Sequence, residues 1–176
     1  MKVLRSNEGI ALLLALILGL VSVAFLTGIF LMISTGARIS GIQRSYTAAV
    51  EAARGGATLI CGYLRRGITD SQIAEAGWLT VRDPDCLRAK KRESTDNWTE
   101  CQDGCETDDA LSSIEECYDL YMEAGPYQVY SKVIDTKKFT TATGDTGYIY
   151  TVHVLSKSTH DPNDKAWITF LYRVEP

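Results

Sequence analysis

Gly9 to Ile33 reads GIALLLALILGLVSVAFLTGIFLMI, about 25 consecutive positions without a charge. At ~1.5 Å per residue, a helix of that length exceeds the ~30 Å hydrocarbon core of a bilayer. The run does not close in the small-residue cleavage site of a secretory signal, and it is longer than the apolar core of one. Lys2 and Arg5 precede it and the next positive charge is Arg38. The positive-inside rule therefore predicts a cytoplasmic N-terminus and a C-terminal domain on the opposite side.

No proline interrupts the chain from Ser34 to Arg66. From Arg38 onward Ile39, Ile42, Tyr46, Ala49, Val50, Ala53, Ala57, Ile60 and Leu64 recur mostly at three- and four-residue steps, the single-face period of a helix. Arg44, Glu51, Arg54, Thr58 and Arg65 take the other side, and Gly67 after Arg65 and Arg66 is a helix stop with cations in its last turn. The pattern predicts one helix, Ile10 to Arg66, divided into a transmembrane half (10–35) and an amphipathic half (36–66). Ala11, Ala15 and Gly19, and likewise Ala24 and Gly28, form small-residue rows of the kind that allow close helix approach in membranes.

The basic leader (1–9), the junction Glu8-Gly9-Ile10, the uncharged helix and its amphipathic extension together resemble type IV pilin-like proteins. The continuation SGIQRSYTAAVEAARGGA, Ser40 to Ala57, is similar to that of the PilX class of minor pilins. The resemblance covers residues 1 to about 66. It implies cleavage after Gly9 by prepilin peptidase, methylation of Ile10, and filament packing through Leu14, Ala15, Gly19 and Gly28. Major pilins carry Glu at the fifth mature position, which here is Leu14; minor pilins of this class and the K-type pseudopilin of type II secretion lack it. A carboxylate within an apolar span is costly unless paired, and in such filaments it is thought to pair with a neighbour's N-terminal amine. Leu14 cannot make that pair, which suits a subunit at the tip. The partners implied are other minor pilins, the major pilin, prepilin peptidase and an inner-membrane assembly platform. The implied location is the inner membrane, single-pass with a periplasmic domain, and then a cell-surface pilus.

Beyond the membrane half, about 140 residues remain, enough for one domain with a core. The formal charge is −4; removing Lys2, Arg5 and Glu8 takes away a net +1 and leaves −5. An acidic ectodomain has no electrostatic claim on nucleic acid. Of the five cysteines, Cys61 lies on the long helix and Cys86, Cys101, Cys105 and Cys117 cluster downstream. In an exported chain such a cluster reads as two disulfides with three connectivities open, and Cys61 as a buried thiol or as a replacement for one of the four. Zinc is the competing reading. It lacks a nearby His, and Cys101 and Cys105 are not spaced as in most zinc knuckles.

Residues 67–126 read as a Cys-rich insertion, charged and loop-like from Arg82 to Glu106, with a short strand at Trp78 to Val81. A helix is predicted over Asp108 to Glu123, on the stripe Leu111, Ile114, Tyr118, Tyr121 and Met122, stopped by Gly125-Pro126. In residues 127–176 the period changes to two. Strands are predicted at Tyr127 to Ile134, Gly147 to Leu155 and Ala166 to Val174, with a further one at Lys138 to Ala142. The expected fold is α+β: a long N-terminal helix packed on a small antiparallel β-meander, with a disulfide-tied insertion.

Catalytic signatures are absent from the sequence. His153 sits among strand residues and His160 in a polar turn. Asp161, Asp164, Asp103, Asp108 and Asp109 lack the spacing of a calcium loop. No cofactor is expected. The functional expectation is a minor pilin of the tip or initiation complex, with Trp78 and Trp98 as exposed contact or adhesion residues. The alternatives are a pseudopilin of type II secretion or a single-pass, membrane-anchored periplasmic binding protein.

Overall fold

A computed structural model of the chain describes residues 7–66, 76–99, 101, 105, 114–142 and 144–175. The elements are helix α1 (Asn7–Arg66), strand β1 (Leu79–Val81), helix α2 (Pro84–Arg92), and strands β2 (Leu120–Ala124), β3 (Tyr127–Thr140), β4 (Thr146–Ser158) and β5 (Lys165–Val174). The chain divides into two compact units, Met1–Arg44 and Ser45–Pro176.

In the first unit every residue from Ile10 to Arg44 is exposed. The helix that starts here is long and apolar enough to cross a membrane. Two of its hydroxyls are satisfied locally: that of Ser22 donates to the Leu18 carbonyl and that of Thr27 to the Val23 carbonyl, each at 2.8 Å. Such bonds let hydroxyls sit in hydrocarbon without an unmet donor.

In the second unit the remainder of α1 packs on one face of a five-stranded antiparallel sheet of order β1-β2-β3-β4-β5. The buried helix positions are Ala49, Ala53, Gly56, Ile60, Tyr63 and Leu64. At Gly56 an added Cβ would lie 2.5 Å from Val129 Cγ1 and 3.2 Å from Val154 Cγ1, so only glycine admits this approach. The helix cover starts at Ser45, whose carbonyl accepts the Tyr127 hydroxyl, and continues with the Ala49 carbonyl, which accepts from Ser156 Oγ at 2.6 Å. The front of the predicted stripe is corrected accordingly: Ile39, Ile42 and Tyr46 are 59%, 64% and 61% exposed. An apolar period marks a helix face without specifying what covers it.

The face under α1 carries Leu79, Leu120, Met122, Val129, Ser131, Val133, Val152, Val154 and Ile168, aligned by the strand register. On the opposite face Tyr121, Tyr130, Leu155 and Trp167 stand side by side across β2 to β5, with Ile114 and Tyr118 against them.

The helix predicted over Asp108 to Glu123 is corrected. Residues 106–113 lie outside the described residues, Ile114 to Glu116 form a turn, and Leu120–Ala124 is a strand paired on both sides. Leu120, Met122 and Ala124 alternate as well as the helical stripe repeats, and pairing with β3 decides between the two periods. Gly125-Pro126 is then a hairpin turn: Gly125 has φ +61°, as tight hairpins with glycine in the first central position require. Lys138 to Thr140, predicted as part of a separate strand, extends β3, which carries a bulge between Val133 and Asp135.

Candidate functional site

The segment Arg82 to Thr99, predicted to be loop, instead contains α2 and a single 3₁₀ turn, Thr95–Asn97. Asp83 caps α2 by accepting from the backbone N–H groups of Asp85 and Cys86, both at 3.0 Å, with Pro84 in the first turn. The Asp83-Pro84 pair is a recognised helix start and was the available signal, although the proline reads equally as an interruption.

Strand β3 outruns β2 beyond Leu120, which leaves part of its edge open. Side chains close it. Val133 N–H donates to Asp119 Oδ2 at 2.7 Å, and Thr136 N–H donates to Thr95 Oγ1 at 2.8 Å. The Thr95 hydroxyl donates to Asp135 Oδ1 at 2.6 Å, and the Thr136 hydroxyl to the Lys90 carbonyl at 2.8 Å.

Asp119 also binds Lys90 Nζ at 2.8 Å, a pair with side-chain exposures of 8% and 2%. The ammonium lies 5.2 Å from the centre of the Trp98 ring, whose indole N–H donates to the Glu93 carbonyl. Trp98 is 6% exposed, which removes it as a surface contact; Trp78 is 51% exposed. No local pattern could have paired Lys90 with Asp119 across 29 positions.

The disulfides join Cys86 to Cys101 and Cys105 to Cys117. The first belongs to the core under α1; the second ties the turn that carries Ile114. Cys61 is a free, half-buried thiol, and burial pushes its pKa up. Tyr150 donates to the Lys91 carbonyl at 2.7 Å, and burial raises its phenol well above the ordinary range. Tyr127 is raised by burial and by its bond to Asp164 Oδ2.

Of the processing residues, Gly9 falls within α1 and Ile10 is 68% exposed. Leu14 is 54% exposed, and a Cβ on Gly19 or Gly28 would meet nothing within 4 Å. Gly28 shares this exposed surface with Leu20, Val21, Phe25 and Met32. These residues share an open helix surface and no internal contact uses their small size. His153 stands edge-on to Trp167, and Asp161 accepts from Asn163 N–H within its turn. Asp103, Asp108 and Asp109 lie outside the described residues. Among the described residues no group of three His, Cys, Asp or Glu side chains is placed to hold a metal ion. The chain matches no family model, no curated protein and no solved structure.

Proposed function

We propose that this chain is a type IV pilin-like minor subunit of the PilX class, acting structurally in the tip or initiation complex of a pilus. The observation that carries the reading is a combination of two features. An uncharged, fully exposed N-terminal helix, with Leu14 where a bulk subunit has a carboxylate, is continuous in sequence with a helix packed on a disulfide-tied antiparallel sheet. That arrangement is compatible with a pilin-like fold. In a bilayer the exposed apolar residues face lipid; on assembly they exchange lipid for neighbouring subunits, and the open small-residue rows at Ala15, Gly19 and Gly28 support close helix approach there. The partners of this reading are other minor pilins, the major pilin, prepilin peptidase and the inner-membrane platform.

The test is the intact mass and N-terminal residue of protein isolated from its own membranes. A chain starting at N-methylated Ile10 is expected. A chain starting at Met1 in cells with active prepilin peptidase overturns the reading in favour of a simple membrane-anchored domain. Gly9→Val is expected to block processing and incorporation.

A further inference from the structure

The sheet treats its edges unequally. At one side β1 is only three residues long, and the stretch of β3 that β2 leaves bare is closed by Asp119 and Thr95. At the other side β5 runs for ten residues, pairs with β4 along its whole length without a register shift, and has no strand beyond it among the described residues. Half the backbone N–H and C=O groups of such a strand point outward. Natural edges are usually blunted by proline, a bulge, shortness or central charges, and β5 has none of these: Ala166 to Tyr172 is uncharged and rich in β-formers.

The side chains along this edge are also unfinished. Ile168, Phe170, Tyr172 and Val174 are only partly buried against the core, and Leu171 on the other face is 72% exposed. Outside α1, Leu171 and Trp78 are the exposed large apolar residues among those described. Cations flank the run. Lys165 is at one end, and at the other Arg173 and the Arg65 of α1 line one depression with Tyr172, Val174 and Glu175. Glu175 is already paired with Arg173 at 2.7 Å.

We propose that the β5 edge is a docking site for an extended strand of a different protein, with alternating apolar side chains and acidic residues at its ends. The strand adds to the sheet by backbone hydrogen bonds, covers the open sides of Ile168, Phe170 and Tyr172, and sets its carboxylates against Lys165 and Arg65. A second copy of this chain would bring the same cations to the meeting, so the charge pattern selects another chain. This inference does not depend on the pilin reading.

The test uses the full chain in lipid nanodiscs and a capped eight-residue peptide of alternating valine and threonine with glutamate at each end. A control peptide carries lysine at each end. Hydrogen exchange is expected to slow in β5 and not in β1 on adding the glutamate peptide. At low salt this peptide should bind more tightly than the control by about two- to fivefold for each charge pair, with the gap closing in high salt. The double variant Lys165→Glu and Arg65→Glu should reverse the preference while leaving the fold's circular dichroism unchanged. Absence of β5 protection at millimolar peptide, equal binding of both peptides, or β5 protection that appears on raising the protein concentration alone would each overturn the proposal, the last in favour of self-association.

Discussion

The two faces of the sheet are covered by different means. On one face α1 lays Ala49, Ala53, Gly56 and Ile60 onto Val129, Val133, Val152 and Val154; Leu87 of α2 and Trp98, just after the 3₁₀ turn, join the same core. On the opposite face a short turn tied by Cys105–Cys117 sets Ile114 onto Tyr130 and Leu155, with the Glu115–Lys157 ion pair at 2.7 Å beside it. Among the described residues the helix face is a continuous packed layer, whereas the other has one anchor, Ile114, on an aromatic row. A layer should fail globally when damaged and an anchor locally.

The largest effect is expected from Asp119→Ala, which strands the Lys90 ammonium in the core and removes the acceptor for Val133 N–H. A loss of about 3–5 kcal/mol is expected by chemical denaturation. A loss under about 1 kcal/mol would mean that the site is hydrated, since surface pairs contribute that little. Next comes Gly56→Val. Its added atoms meet Val129 and Val154 on a sheet that cannot retreat, so the cost should approach about 3 kcal/mol, the upper end for overpacking. Its signature should be faster exchange throughout β3 and β4, the mark of a layer.

Ile114→Ala tests the other face. The small cluster predicts about 2 kcal/mol, the lower end for such truncations. Faster exchange should be confined to Glu115 to Tyr118 and the neighbouring part of β3; loss spread over the α1 face would mean that the two covers fail as one unit.

The smallest effect appears only in base. Tyr150 under α2 has its phenol raised in the folded state by burial, and Tyr130 on the other face is raised by the same cause. The unfolded chain releases these protons first, from about pH 10. Stability is therefore fully present below that pH and falls as pH rises through the folded-state values. Tyr150→Phe should flatten the alkaline decline more than Tyr130→Phe, as read from denaturation midpoints at pH 9 and pH 11. Equal slopes would show that the two phenols are equally solvated.

Much of this architecture was legible along the chain. The uncharged run and the three- and four-residue steps to Leu64 carried α1 to its end at Arg66, and the period-two segments carried β3, β4 and β5. The front of the helix cover at Ile39 to Tyr46 and the run of β3 through Thr140 were misread, and the other errors lie between Gly67 and Gly125. There Asp83-Pro84 opens a helix that reads as loop, and Leu120–Ala124 fits two periods at once until β3 supplies a partner. Trp98, an aromatic residue in a charged segment, reads as exposed because nothing local announces the Lys90–Asp119 pair that it covers. Within the candidate site, the four downstream cysteines were identified but their pairing was not.

Periodicity and charge are properties of neighbours along the chain, so sequence alone determined the apolar span, the amphipathic continuation, the strand-rich C-terminal third and the supply of cysteines. Tertiary structure alone decided where the helix cover begins, which cysteines meet, which buried charges pair and, among the described residues, which sheet edge is closed by side chains and which is left open. Those outcomes depend on distances between residues tens of positions apart, and only packing sets such distances.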